Sequence, residues 1–157
     1  MHHWSIRSWG ILAVLLSVNF TCAVGQTADS SAPNIHIVVG EGADQLERFA
    51  ASELEDMLER VFSVSASVGT ESNASSSAVV LLGRPQSNPE LAKAIGNEWP
   101  QLTDQGVLLR RLDSTPTTFV VGGGSPVAVM WSAYELGERF GVRYLVNRDV
   151  YPVKQQW

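Results

Sequence analysis

Carboxylate side chains are abundant in this sequence, with 16 Asp and Glu residues, and a pair of them could catalyse hydrolysis. Glycoside hydrolysis uses two of them, one as an acid and the other as a base or nucleophile. Acidic residues are frequent in two segments with helical spacing, where they fall largely on the polar face. Charged helix faces usually serve solubility, so we interpret these residues as solvated, with Arg139 as a local partner of the second group. The candidates are Glu53, Glu55, Asp56 and Glu59 in the first segment and Glu135 and Glu138 in the second.

A glycine run raises the possibility of anion binding. Gly122–Gly124 precede Ser125-Pro126, a typical helix start, and the N-terminus of a helix attracts anions. A dinucleotide fingerprint would need glycine where Val127 stands, and a phosphate loop would need a lysine that is not nearby. We therefore interpret the run as a tight turn from strand to helix.

Histidine and cysteine, the usual metal ligands and catalytic nucleophiles or bases, are rare in this sequence. His36, on the polar face of an alternating segment, is the one histidine beyond the first three residues. A zinc site usually needs three or four ligands, and no Gly-x-Ser-x-Gly elbow accompanies this histidine. We expect His36 to be solvated. The sole cysteine, Cys22, follows Phe20 and Thr21, which are unlike the small residue that precedes a lipid-modified cysteine. The sequence therefore predicts no catalytic residue, no metal site and no cofactor.

Two aromatic residues leave a binding role open. Trp131 and Tyr134 are three residues apart in a helical segment. They could form a platform on which a sugar stacks, or they could pack in the core. Exposed rings would favour a glycan- or protein-binding module, and buried rings would contradict it.

Composition excludes several classes of protein. The 157 residues allow one domain and are too few for a complete (β/α)₈ barrel, which needs about 250. Eleven basic residues stand against 16 acidic ones, a formal net charge of −5, so we expect no nucleic-acid partner.

The first residues are typical of a secretory signal peptide. Arg7 is the one charged residue before the apolar run Ile11–Leu16, and the small residues Ala23 and Gly25 suit cleavage after Gly25. The apolar run is shorter than the roughly 20 residues of a membrane-spanning helix. We predict a signal peptide at residues 1–25, a secreted or periplasmic protein, and no membrane association after cleavage.

Hydrophobic periodicity predicts the order βαββαββαβ. The fold class that follows is α+β: a two-layer sandwich with a mixed, mainly antiparallel sheet and helices packed on one face. The predicted strands are 34–39, 62–68, 78–82, 106–112, 117–121 and 142–146. The predicted helices start near Asp44, Asn88 and Ser125.

One block is more distinctive than any of these patterns. Thr117–Tyr144 reads TTFVVGGGSPVAVMWSAYELGERFGVRY. It resembles the signature of the N-terminal accessory domain of secreted beta-hexosaminidases and alpha-glucuronidases: G-G-S/D-P-R-G, then Y-x-L/F-L-E and L-G-V/C-R-W/Y. Val127 and Ala128 replace the usual Arg-Gly pair. If that Arg contacts the catalytic barrel in relatives, the resemblance implies that this contact is lost here, whereas the fold is unaffected. The likeness extends over most of Asn34–Tyr144.

This resemblance implies a limited function. In such enzymes the domain is not catalytic, because the acid and the nucleophile belong to a barrel that follows it. We therefore expect a flexible lead-in at residues 26–33, an accessory domain at residues 34–148, and the start of a linker at residues 149–157. The expected partner is the chain's own catalytic barrel, and a glycan is a further candidate. The alternative is a free-standing secreted module that binds a glycan or a protein.

Overall fold

The computed structural model describes residues 32–73 and 75–157. The predicted signal peptide, Cys22 and most of the predicted lead-in lie outside the described residues. The described strands and helices, with one 3₁₀ turn at Gly96–Glu98, are β1 (Asn34–Val39), α1 (Gln45–Phe62), β2 (Ser65–Gly69), β3 (Ala78–Gly83), α2 (Pro89–Ile95), β4 (Val107–Leu112), β5 (Thr117–Gly123), α3 (Pro126–Arg139), β6 (Arg143–Tyr144) and β7 (Asp149–Val150).

A five-stranded sheet has the order β2-β1-β3-β5-β4. β1 pairs in parallel with β2 and β3, β3 pairs in parallel with β5, and β4 is antiparallel to β5. The two-layer α+β class is confirmed, but the expectation of a mainly antiparallel sheet is corrected. The physical reason is the helical crossover: α1 returns the chain from the end of β1 to the start of its parallel neighbour β2.

The main core lies between the sheet and the two long helices, α1 and α3. Ile37, Val80 and Val121 of the sheet belong to one buried cluster with Leu58 of α1 and Val129 of α3. Each of these helices follows a strand of the parallel set, β1 or β5. The two helices therefore start at the same edge of the sheet and run in the same direction.

The opposite face of the sheet is partly covered as well, which the sequence did not predict. Leu91 and Ile95 of the short α2 pack there against Val38 and Leu81. All six residues of β3 are buried, as expected for a strand covered on both faces.

The predicted helix starts near Asp44, Asn88 and Ser125 are confirmed. Asp44 caps α1 in a capping box with Glu47, and Ser125 caps α3 with Pro126 in its first turn. Gly141, just beyond α3, has φ +92°, a backbone conformation that favours glycine. The predicted strand 62–68 starts later than expected, because α1 continues through Phe62.

The last residues fold back onto the domain. β6 and β7 pair in an antiparallel hairpin. The Gln155 N–H then donates to the Val61 carbonyl at 2.8 Å, at the end of α1. The Trp157 ring packs edge-on against Phe62, with centroids 5.2 Å apart. The segment expected to begin a linker is therefore in contact with the domain. Among the described residues, no helix is long and apolar enough to cross a membrane.

Candidate functional site

The carboxyl ends of β1 and β3 carry a buried polar cluster around Glu47. One carboxylate oxygen, Oε1, accepts from Arg84 Nε at 2.8 Å and from Ser87 Oγ at 2.8 Å. The other, Oε2, accepts from the Asp44 N–H at 2.8 Å. The Glu47 side chain is 0% exposed and that of Arg84 is 24% exposed. Both oxygens thus accept hydrogen bonds from the protein itself, and the cluster links the carboxyl ends of β1 and β3.

Asn88 adds hydrogen bonds from its side chain to the backbone of β1 and of β3. Its Nδ2 donates to the carbonyls of Val38 and Leu82, each at 2.9 Å, and its Oδ1 accepts from the Leu91 N–H. One side chain therefore links β1, β3 and the first turn of α2. Sequence reasoning identified the helix start at Asn88, but it missed the burial of Asn88 and of Glu47.

Neighbouring atoms occupy the space beside the glycines of the turn before α3. A Cβ on Gly124 would lie 2.0 Å from the Thr103 carbonyl oxygen, and one on Gly123 would lie 2.5 Å from the carbonyl carbon of Ala128. Ser125 Oγ donates to the Asp104 carbonyl at 2.6 Å. A loop thus covers the N-terminus of α3. The interpretation as a tight turn agrees with this packing.

His36 is buried rather than solvated, which corrects the expectation. Its Nδ1 lies 2.9 Å from Ser67 Oγ and its Nε2 lies 2.8 Å from the Glu71 carbonyl oxygen. The ring links β1 to β2 and to the loop that follows β2. Both ring nitrogens have partners within the protein.

The carboxylates identified in the sequence do not gather into one site. Glu135 pairs with Arg139 at 3.0 Å and Asp56 pairs with Arg60 at 3.3 Å, each within a single helix. Glu59 accepts from the Ala66 N–H at 3.2 Å. Glu55 is half-buried on α1 and Glu138 is exposed on α3. Within residues 32–73 and 75–157, no group of three His, Cys, Asp or Glu side chains could hold a metal ion.

Three tyrosines connect the helix pair to the C-terminal hairpin. The ring of Tyr134 meets that of Tyr144 edge-on, with centroids 4.7 Å apart, and the Tyr134 hydroxyl donates to Glu53 at 3.4 Å. Arg60 lies over the ring of Tyr151. Burial raises the pKa of all three hydroxyls above the ordinary value of 10.0. The Glu53 carboxylate adds to the rise in the pKa of Tyr134, whereas Arg60 partly offsets the rise in that of Tyr151. The hydroxyls therefore stay neutral and can donate.

Trp131 and Tyr134 have different surroundings. Tyr134 is half-buried within the tyrosine cluster, whereas Trp131 is 40% exposed. They do not form one open platform, since the hairpin covers part of Tyr134. Trp131 alone presents its ring to solvent.

A groove of about 630 Å³ lies on the α2 face of the sheet. Val79 and Leu81 contribute apolar side chains to its lining, and Glu90 and Lys93 of α2 contribute charged ones. The Glu90 carboxylate accepts from the N–H and the hydroxyl of Ser72. It thus supports the loop at the edge of the groove.

Comparison with known protein families shows which family the chain belongs to. The model of the glycosyl hydrolase family 67 N-terminus matches residues 19–136, which is most of the chain. The chain belongs to this family. The match extends from the predicted signal peptide into α3, and it confirms the resemblance stated from the sequence. The distinctive block of this family 67 N-terminal domain forms β5, the covered turn and α3.

A solved structure shares the fold. It is a family GH115 4-O-methyl-alpha-glucuronidase described as specific for decorated arabinogalactans, with a TM-score of 0.59 and 17% sequence identity. The similarity covers 72% of this chain and 14% of that enzyme's chain. The family 67 N-terminal domain thus corresponds to a small part of that enzyme. No curated protein matches the chain.

Proposed function

We propose that this chain is the non-catalytic N-terminal domain of an exported glycoside hydrolase, and that a catalytic barrel outside this chain hydrolyses the glycosidic bond. Membership in the family 67 N-terminus carries the proposal. The surroundings of the acidic residues support it. Both carboxylate oxygens of Glu47 accept from groups of the protein itself, and Glu135 and Asp56 pair within their own helices. Each of these three carboxylates therefore already accepts from a donor of the protein itself.

The catalytic part of the proposal has a direct test. The gene is read beyond the codon for Trp157, and both this chain and the longer product are purified. Each is assayed on aryl glycosides and on polysaccharides bearing 4-O-methyl-glucuronic acid, the group named for the GH115 enzyme. We expect turnover by the longer product and none by this chain. Turnover by this chain alone would overturn the non-catalytic role.

Export is part of the same proposal. A signal peptide at residues 1–25 would direct the protein to the periplasm or the medium, and the mature chain would start at Gln26. N-terminal sequencing of the protein recovered from these compartments tests the cleavage site. Recovery from the cytoplasm with an intact Met1 would refute export.

A free-standing secreted binding module is the second candidate, favoured by the exposure of Trp131. An exposed indole can stack on a sugar ring or anchor a protein partner. Glycan-array binding by the purified chain, lost in Trp131→Ala and retained in Val68→Ala, would support this candidate. Equal binding by both variants would count against Trp131 as the platform.

A further inference from the structure

The outward side of the helix pair is divided into a covered half and an open half. Toward the ends of α1 and α3, the hairpin packs on it through Tyr144 and Tyr151. Toward their starts lie three exposed apolar residues, Phe49, Val127 and Trp131. We call this open half the helix-pair face.

The three side chains lie on one side of the molecule. Val127 and Trp131 are four residues apart on α3, so they are neighbours on one helix surface. Phe49 precedes Glu53 by one turn of α1, and Glu53 is bonded to Tyr134 of α3. Because the two helices run in the same direction, Phe49 lies at the level of α3 that precedes Tyr134. Single exposed apolar residues are ordinary, but a cluster marks an interaction surface.

The hairpin extends this apolar surface. Leu145, Val146 and Val150 are all exposed on it. The hairpin is held on the same outward side by Tyr144 against Tyr134. The polypeptide beyond α3 therefore crosses the same side of the domain that carries the helix-pair face.

We propose that the helix-pair face, together with the outer surface of the hairpin, is the docking surface for the catalytic domain of the same polypeptide. This inference rests on the proposed function. The family is defined as the N-terminus of a longer hydrolase, and the fold match covers 14% of the GH115 chain, so most of that relative lies outside the matched part. The hairpin packs on this same side of the domain, through Tyr144 against Tyr134.

Site-resolved thiol labelling tests the proposal. Trp131→Cys and Val127→Cys are made in a Cys22→Ser background, both in this chain and in the longer hydrolase. Val68→Cys, on the edge strand β2, is the matched control, because Val68 and Val127 are each 38% exposed. Maleimide labelling is followed by mass spectrometry of the peptide that carries each new cysteine.

The expected result is slower labelling of both face cysteines in the longer protein than in this chain, by at least about tenfold, since the centre of an interface excludes water. Val68→Cys should be labelled at the same rate in both. Equal rates at all three positions would overturn the proposal. Protection of the face that requires an added polysaccharide would also overturn it and would indicate a glycan surface.

Hydrolase activity of the unlabelled longer protein is measured first. An active hydrolase with an unprotected face refutes this docking surface alone. A longer product without hydrolase activity refutes the proposed function, and the docking proposal with it.

Discussion

Removing the Glu47 carboxylate tests whether the buried cluster holds the ends of β1 and β3 together. In Glu47→Ala, Arg84 loses an acceptor at 2.8 Å and the Asp44 N–H loses its acceptor at 2.8 Å. Breaking a buried ion pair from one side costs about 3–5 kcal/mol. Because the Arg84 side chain is 24% exposed, water can replace part of the lost contact. We therefore expect a free energy of unfolding lower by about 3 kcal/mol.

Urea unfolding followed by far-UV circular dichroism measures this loss. At about 4 °C per kcal/mol, the corresponding fall in Tm is about 12 °C. Glu135→Ala is the matched control, because its ion pair with Arg139 lies on the surface of α3 at i,i+4 spacing. Such a pair contributes about 0.3–0.5 kcal/mol. If Glu47→Ala cost no more than this control, the structural role assigned to the cluster would be refuted.

Three further predictions concern the turn, the tyrosines and the C-terminal segment. Gly124→Ala should destabilise the chain by up to about 3 kcal/mol, because its Cβ would lie 2.0 Å from a backbone oxygen. Gly42→Ala is the control and should change the free energy of unfolding by less than about 1 kcal/mol, because a Cβ there would lie 3.5 Å from the nearest atom, the Ser87 carbonyl oxygen. Urea titration compares the two variants, and equal costs would contradict the steric argument. Because folding raises the pKa of Tyr144, the contribution of this tyrosine to the free energy of unfolding is present in full below pH 10 and is lost as the pH rises above 10. Tyr144→Phe should reduce this alkaline loss of stability in unfolding experiments from pH 8 to 11. An unchanged dependence on pH would mean that the Tyr144 hydroxyl is not its cause. Trp157→Ala removes an edge-on contact worth about 0.5–1.5 kcal/mol and should speed proteolysis near the C-terminus, whereas unchanged cleavage would mean that the ring does not hold the segment.

Features encoded by adjacent residues were predictable from the sequence. The capping box at Asp44 and the cap at Ser125 each depend on residues within one helical turn. The antiparallel pairing of β4 with β5 follows from the short turn between them. These signals located α1, α3 and the β4–β5 pair before any tertiary contact was known.

Features that depend on distant contacts were not predictable. The ring of His36 is buried by Ser67 and Glu71, which are 31 and 35 residues away. Glu47 meets Arg84 across 37 residues. Alternation along a strand gives the face of a side chain but not what covers that face. The parallel direction of the sheet has the same origin, since strand direction depends on where each crossover returns the chain.

The polar groups and the exposed apolar residues of this domain differ in whether the protein itself provides their partners. The groups that resemble chemical sites are already occupied: Glu47 by three internal donors, the N-terminus of α3 by the Thr103–Gly106 loop, and His36 by two oxygens. Each of these groups is already hydrogen-bonded within the protein, as buried polar groups generally are. The apolar residues of the helix-pair face, in contrast, are left without cover and lie beside the hairpin. A domain that hydrogen-bonds these polar groups internally and exposes a grouped apolar surface is suited to binding another domain, which is the basis of the docking surface proposed above.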